Sequence, residues 1–183
     1  MIMRKSIAEM RKIMKILVTY SSKTGNTKKL AEGIYEGLGE KEKTILPMAE
    51  VESMDAYDIV LVGYWVDKGG PNEEAAKFLE TIEGKKVGLF ATLAFWPDSE
   101  HGYNSILAGE KLVKEKNHVI GKYICQGKID DKMIEIFEKM PEGNPHRPTP
   151  EKRKRYKISA NHPSAADIAV AAELFGERIE ADV

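Results

Sequence analysis

The sequence predicts a single α/β domain in which a parallel five-stranded sheet is covered by helices on both faces. Short apolar runs alternate along the chain with segments of helical periodicity. Unbroken apolar runs are typical of parallel strands buried on both faces, which are joined by right-handed helical crossovers. At 183 residues, 42% of them hydrophobic, the chain has the length and composition of one soluble domain.

Four apolar runs predict buried strands, and a fifth run predicts an edge strand. The buried strands are expected at residues 15–20, 58–64, 86–92 and 118–124. The weaker run, KTILPM at 43–48, contains Pro47, which suits an edge because proline donates no ladder hydrogen bond. These five runs give the predicted sheet its strands.

Helical periodicity fills the intervals between the predicted strands. Apolar residues recur at spacings of three and four in five segments, which begin near Leu30, Ala75, Ile106, Met133 and Ser164. Asn72 is predicted to cap the second helix. Ser164 and Asp167 have the spacing of a capping box and predict the start of the last helix.

The composition excludes several classes of protein. No apolar run approaches the roughly 20 residues that cross a bilayer, so we expect no membrane anchor. A single cysteine, Cys125, excludes an internal disulfide, and the four histidines lack metal-ligand spacing. The N-terminus shows no apolar segment with a cleavage site, so we expect a cytoplasmic protein. We interpret residues 1–13 as an N-terminal extension and residues 14–183 as the domain.

The segment SSKTGNT, residues 21–27, joins the first predicted strand to the first predicted helix. A helix N-terminus presents unpaired amides and the positive end of the helix dipole, which together attract phosphate. The segment adds hydroxyl donors and a glycine that lets the backbone approach a ligand: Ser22, Thr24, Thr27 and Gly25. We therefore predict a phosphate-binding loop. The alternative is that Thr24 or Asn26 merely caps the helix.

Two common phosphate motifs are absent from this loop. Lys23 precedes Thr24 and Gly25, whereas the nucleoside triphosphate loop places its lysine after a glycine, as G-x-x-x-x-G-K-[ST]. The dinucleotide fingerprint G-x-G-x-x-G does not follow the first strand either. The predicted phosphate therefore belongs to another kind of ligand.

The sequence SKTGNT between a first strand and a first helix resembles the FMN phosphate loop of the flavodoxin family. The resemblance covers residues 14–125 and the last helix, 164–180. It implies FMN as cofactor and a flavodoxin-like doubly wound sheet of strand order 2-1-3-4-5. It also implies that the phosphate is wrapped by Ser22, Lys23, Thr24, Gly25, Asn26 and Thr27, with Lys23 contributing mainly its backbone amide.

The flavodoxin family holds the isoalloxazine ring with the loops after its third and fourth strands, usually between aromatic side chains. The resemblance places these residues there: Trp65, Val66, Asp67, Thr92, Leu93, Ala94, Phe95 and Trp96. Many flavodoxins read T-W-G-D, with a glycine whose peptide can turn toward flavin N5. Here Gly63 instead lies two residues before Trp65. The alternative for each aromatic is an ordinary core or lid residue.

The resemblance implies an electron carrier that shuttles electrons between a reductase and an acceptor enzyme, with no catalytic acid or base. One alternative is an FMN-dependent NAD(P)H:quinone-type oxidoreductase whose phosphate anchors are Lys68, Arg147 or Arg153. A second alternative is a regulatory or binding module of the same fold that holds no flavin. His101 lies in a predicted site loop, where we expect it to stand beside a flavin. Cys125 is interpreted as a packing residue.

Residues 128–160 form an insertion relative to a minimal flavodoxin. A predicted helix, DDKMIEIFEKM, is followed by a basic, proline-rich loop that we expect to be exposed. Residues 146–157 carry a net charge of +5 and residues 1–15 a net charge of +4, which leaves −10 on the rest. The loop 146–157 is therefore a candidate docking surface for redox partner proteins. Nucleic-acid binding is not expected, because the body is acidic.

Overall fold

The computed structural model describes residues 13–181, so the predicted extension lies outside the described residues except for Ile13. The strands are β1 (Ile16–Tyr20), β2 (Lys43–Pro47), β3 (Ile59–Asp67), β4 (Gly70–Pro71), β5 (Lys86–Leu93) and β6 (His118–Gln126). The helices are α1 (Asn26–Gly37), α2 (Glu73–Thr81), α3 (Glu100–Val113), α4 (Asp131–Glu138), α5 (Pro150–Ser159) and α6 (Ala165–Ala181). None of these helices is long and apolar enough to span a membrane.

The five long strands form a parallel sheet in the order β2-β1-β3-β5-β6. Counted without the two-residue strand β4, this is the predicted order 2-1-3-4-5, and the predicted flavodoxin-like fold is confirmed. The strand with Pro47 lies at one edge, as expected. Because the sheet is parallel, the carboxyl ends of β1, β3, β5 and β6 meet at one side of the molecule.

Two apolar layers hold this sheet between its helices. On one face, α1 and α6 pack against the sheet through residues such as Leu30, Ile34 and Phe175. On the other face, α2 and α3 pack through residues such as Leu79 and Ile106. Each fully buried side chain of this size contributes about 1.5–3 kcal/mol relative to exposure. The carboxyl edge of the sheet is therefore a rigid platform for the loops that follow.

Both residues predicted to cap a helix stand at a helix start, but only one of them makes a side-chain capping hydrogen bond. The Ser164 N–H donates to the Asp167 carboxylate at 2.6 Å, and the Asp167 N–H donates to Ser164 Oγ at 3.2 Å, which confirms the capping box. Burial raises the pKa of Asp167, but hydrogen bonds from Ser164 and His162 outweigh it and hold the pKa below its ordinary value. Asn72 is the N-cap residue of α2, as predicted, but its side chain makes no capping hydrogen bond and donates to Ser21 Oγ at 2.8 Å instead.

Strand β3 continues past its predicted end at residue 64 and turns back in a hairpin. Trp65 and Val66 therefore belong to a strand and not to a loop, and the antiparallel partner of Val66 is Pro71. The turn is formed by Lys68 and Gly69, which have φ of 49° and 83°. Positive φ at both central residues is the type I′ pattern, whose twist matches that of the strands.

The predicted loop at 146–157 is wrong in its second half, where α5 begins at Pro150. Thr149 is the N-cap and accepts a hydrogen bond from the Lys152 N–H at 3.3 Å. Proline at the first helical position after a threonine cap is a recognised helix start. Of the residues of α5, only Ser159 is buried, and α4 buries none. The insertion therefore consists of two short helices that contribute little to the core.

The substitution Gly63→Ala tests the packing at the centre of the sheet. A Cβ at Gly63 would overlap the buried ring of Phe90, so we expect Gly63→Ala to lower the free energy of unfolding by about 1–3 kcal/mol. Gly176→Ala in α6 is the matched control, since its Cβ would meet nothing within 4 Å, and it should stabilise the protein by about 0.5–1 kcal/mol. Urea denaturation measures both. Equal effects would contradict the packing described.

Candidate functional site

A cavity of about 330 Å³ opens where the carboxyl ends of four strands meet. Its lining brings together these predicted site residues: Ser22, Lys23, Thr24, Asn26, Thr27, Trp65, Val66, Thr92, Leu93 and Ala94. The cavity has the size of a small-molecule site and lies at the sheet edge where doubly wound proteins bind ligands. Contact of these residues with a cofactor stays a prediction, but their convergence on one cavity is observed.

The first loop leaves the start of α1 open to a ligand. Within residues 13–181, no side chain caps α1, and its first turn contains no acidic residue. The alternative reading, in which Thr24 or Asn26 caps the helix, is therefore wrong. Gly25 is the N-cap with φ of 92°, a conformation that costs a residue with a side chain about 1–2 kcal/mol. Its own N–H donates to Ser22 Oγ at 3.2 Å, which folds the loop back on itself.

Asn26 connects the first loop to the segment that follows β6. Its side-chain amide donates to the Lys128 carbonyl oxygen at 2.8 Å and to Thr24 Oγ1 at 3.2 Å. The Lys128 N–H in turn donates to the His162 carbonyl oxygen at 3.0 Å. Asn26 therefore positions two walls of the cavity relative to each other.

Four further hydrogen bonds fix the base of the first loop. The hydroxyls of Thr27 and Thr92 are 2.9 Å apart, and both side chains are buried. Ser21 Oγ accepts from Asn72 and donates to the Glu74 carboxylate, while the Ser21 N–H donates to the Gly63 carbonyl oxygen at 2.9 Å. The residue after β1 is thus tied to β3 and α2, and the first turn of α1 is tied to β5, which leaves the loop little freedom to move.

The indole of Trp65 is an aromatic surface of the cavity that lies beside Lys23 of the first loop. The Lys23 ammonium lies 5.2 Å from the centre of the Trp65 ring, a cation–π contact. The Trp65 carbonyl oxygen accepts a hydrogen bond from the Asn72 N–H at 3.3 Å, so the strand on which the indole stands is held in place. One wall of the cavity therefore combines the positive charge of Lys23 with the flat apolar surface of Trp65.

Four predicted site residues do not line the cavity: Gly25, Asp67, Phe95 and Trp96. Gly25 nonetheless shapes the first loop, whereas Asp67 pairs with Gly70 in the hairpin. Phe95 packs edge-to-face against His101, with ring centres 5.8 Å apart, and the Arg155 guanidinium lies 4.6 Å from the Phe95 ring centre. The ring-covering role expected of Phe95 and Trp96, and the role of His101 beside a flavin, find no support in this arrangement.

Six cavity-lining residues were missed by the sequence analysis: Gly127, Lys128, Ile129, Asp130, Met133 and Phe137. The first four follow β6, whose carboxyl end meets the same edge as the other parallel strands. Met133 and Phe137 are four residues apart on α4, a spacing that puts them on one face of the helix. Both signals were present in the sequence, but neither identifies by itself what the helix covers.

Most of the cations of the predicted docking segment are engaged within the chain. Arg153 donates twice to the Glu138 carboxylate, at 2.7 and 2.6 Å, and this hydrogen bonding lowers the pKa of Glu138. Arg147 donates to the Met140 carbonyl oxygen at 2.7 Å. Lys154 and Lys157 are exposed. The basic segment therefore serves first to hold the insertion together.

A larger cavity, of about 630 Å³, lies at the opposite edge of the sheet. It is lined by residues such as Tyr57, Lys85 and Asn117, near the amino ends of β3, β5 and β6. Ligands of doubly wound proteins bind at the carboxyl ends of the strands, so we assign the functional site to the smaller cavity.

The other chemistry considered from the sequence is not supported by the geometry. Within residues 13–181, no group of histidine, cysteine and acidic side chains is arranged to hold a metal ion. Cys125 is buried, and burial together with the charge of Asp167 raises the pKa of its thiol. A thiol kept protonated in this way is a poor nucleophile.

Fold and site together define a doubly wound α/β protein with a small-molecule cavity at an uncapped helix N-terminus. The family model of the flavodoxin domain matches residues 17–176, and the chain belongs to this family. It is 36% identical over 160 residues to the flavodoxin-like domain-containing protein BilS of Clostridioides difficile (strain CD3). That match covers 85% of this chain and 90% of the relative.

Solved structures show the same fold at lower identity. A flavodoxin of Streptococcus pneumoniae TIGR4 superposes with a TM-score of 0.59 and is 14% identical. Oxidised Flavodoxin 2 of Bacillus cereus superposes with a TM-score of 0.58 and is 22% identical. Each match covers 92% of this chain and 99% of the other. The likeness therefore extends over almost all of the domain.

The bond between Thr27 and Thr92 is open to a double-mutant cycle. Because Thr27→Val leaves the Thr92 hydroxyl buried without this partner, we expect the free energy of unfolding to fall by about 1–3 kcal/mol. Thr92→Val should lower the free energy of unfolding by a similar amount, because it leaves the Thr27 hydroxyl without this partner. The double variant should lose less than the sum of the two single losses, because neither hydroxyl is then left unpaired. Additive losses in urea denaturation would contradict the hydrogen bond.

Proposed function

We propose that this chain binds FMN in the cavity at the carboxyl edge of its sheet and carries electrons between a reductase and an acceptor enzyme. Bound FMN supplies a centre that takes up and releases one or two electrons. The observation that carries the proposal is the cavity itself, which extends from the uncapped start of α1 to the indole of Trp65. A phosphate end and a flat aromatic end are the two features that FMN requires.

The residues present fit the phosphate of FMN. The dipole of α1 and the free amides of its first turn favour a dianion without a dedicated cationic side chain. The hydroxyls of Ser22 and Thr24 stand in the same lining and are suitable donors. Gly25 gives the loop the backbone conformation that exposes these groups.

The residues at the other end fit an isoalloxazine ring. Trp65 offers a stacking surface, and Val66 and Leu93 add apolar walls that exclude water. The peptide groups of residues 92–94 end a strand at the cavity and can pair with the polar edge of the ring. The Lys23 ammonium beside Trp65 lowers the cost of additional negative charge on a reduced ring, which opposes the effect of the apolar walls.

The contacts made by the cationic side chains of the insertion favour an electron carrier over an NAD(P)H oxidoreductase. Of the three candidates for anchoring a nicotinamide nucleotide, Arg147 and Arg153 already donate hydrogen bonds within the insertion, which leaves only Lys68, exposed in the turn after β3. We propose instead that redox partner proteins approach the cavity mouth beside the insertion, where Lys154 and Lys157 are exposed and contribute to docking. A carrier needs no acid–base group at the ring.

Affinity for FMN and for riboflavin, which lacks the phosphate, tests the phosphate loop. We expect Thr24→Val to raise the dissociation constant of FMN about ten- to a hundredfold, because one hydrogen bond to a charged group is lost. Gly25→Val should weaken FMN at least as much, since valine is strained at positive φ. Riboflavin should change less than about threefold in either variant. Flavin fluorescence and the visible spectrum measure binding.

Thr44→Val on the distant edge strand β2 is the matched control and should bind both ligands like the wild type. Circular dichroism establishes that each variant is folded. Equal losses for FMN and riboflavin would refute the phosphate role of the loop. A wild-type protein that stays colourless with excess FMN would overturn the proposed function and favour the flavin-free module.

Reduction of the loaded protein separates a carrier from an enzyme. With FMN bound, we expect NADPH alone to leave the visible absorbance unchanged for minutes, whereas a catalytic amount of a flavoprotein reductase should bleach it. Rapid bleaching by NADPH without a reductase would establish the oxidoreductase alternative. Stopped-flow absorbance in the flavin band provides the measurement.

A further inference from the structure

We propose that α4 forms a wall of the cofactor site, in which Met133 and Phe137 contact the ring of the flavin and α5 holds them in place. This inference rests on the proposed binding of FMN and adds residues to that site. In the flavodoxin pattern the expected cover comes from the aromatics after β5, but Phe95 and Trp96 lie outside the cavity lining. The insertion supplies apolar lining instead, through Met133 and Phe137.

The exposure of α4 is the first observation. The helix buries none of its residues, yet its apolar residues fall on one side, and two of them line the cavity. The side chain of Met133 is 39% exposed. Apolar surface in contact with water is unfavourable in free energy, and a ligand would remove it from water. A flat aromatic ring in the cavity would cover this surface. Ligand binding would therefore explain why α4 is amphipathic although it contributes nothing to the core.

The start of α4 is fixed by the same segment that the first loop holds. Asp130 caps the helix by accepting a hydrogen bond from the Lys132 N–H at 2.7 Å. The Lys128 ammonium pairs with the Asp131 carboxylate at 2.7 Å, and the Lys128 carbonyl oxygen accepts from Asn26. A short chain of contacts therefore connects the phosphate loop to the helix that carries Met133 and Phe137.

The end of α4 is fixed by α5 and by the loop between the two helices. Glu138 receives two hydrogen bonds from Arg153, in the parallel geometry that orients both side chains. His146 stacks on Phe137 with ring centres 5.7 Å apart and an angle of 18° between the rings. Arg153 and His146 thus position an aromatic side chain at the cavity.

The proposed contact with the ring and the proposed contact with the phosphate can be distinguished by comparing FMN with riboflavin. Removing the wall should weaken FMN and riboflavin equally, because both contain the ring. Removing the loop's hydroxyl should weaken FMN alone. We expect Phe137→Ala and Met133→Ala each to raise the dissociation constants of both ligands about fivefold or more. Ile136→Ala is the control, since Ile136 lies on the same helix, is 52% exposed and does not line the cavity.

The role of α5 is tested by exchanging the charges of Glu138 and Arg153. Glu138→Arg and Arg153→Glu should each weaken riboflavin about two- to fivefold, because α4 is no longer held. The double exchange restores opposite charges and should recover most of the affinity. Both side chains are partly exposed, so the fold tolerates these changes.

The outcomes separate this inference from the proposed function. If the wild type binds FMN and Phe137→Ala binds both ligands as tightly as Ile136→Ala, the wall is refuted while the phosphate loop stands. If Phe137→Ala weakens FMN alone, α4 acts through the phosphate and the proposed ring contact is wrong. If the wild type binds no flavin, the proposed function fails and this inference fails with it. Equal losses for both ligands, with Ile136→Ala unchanged, establish the wall.

Discussion

The open N-terminus of α1 is the feature on which the rest of the site depends. A helix end without a capping side chain leaves its first amides without partners, and the protein holds that end rigidly instead of covering it. Thr27 is tied to β5, Ser21 to β3 and α2, and Asn26 to the segment after β6. Each bond connects the first loop to a different element. The geometry around an anion is therefore set by the sheet and not by the loop alone.

The sequence predicted the sheet well because the signal for it is local. Each buried strand is an unbroken apolar run, and Pro47 marked an edge; strand order then came from the family resemblance. The first loop was also recognisable, since its function lies in backbone amides and short hydroxyl side chains that are contiguous in the chain. The strands and the first loop were predicted best because each is determined by a few residues that are neighbours in the chain.

The parts that were missed depend on tertiary contacts. Periodicity showed that Met133 and Phe137 share a helix face, but not that this face meets the cavity. An aromatic residue after a strand can turn toward a ligand or away from it, and Phe95 turns toward His101 and Arg155. The start of α5 was different, because threonine followed by proline is a local signal that was outweighed by the density of prolines and charges around it.

The hairpin after Trp65 has a consequence for how electrons would be exchanged. In the flavodoxin pattern described above, a glycine after the third long strand has a peptide that can turn toward flavin N5. Here Val66 and Asp67 are paired with Pro71 and Gly70 in an antiparallel ladder, so turning over the peptide between them would break the hairpin. If FMN binds here as proposed, this ladder would hold the backbone of Val66 and Asp67 in one geometry while the cofactor gains and loses electrons. The electrostatics beside the ring would then come from groups that the fold has already fixed.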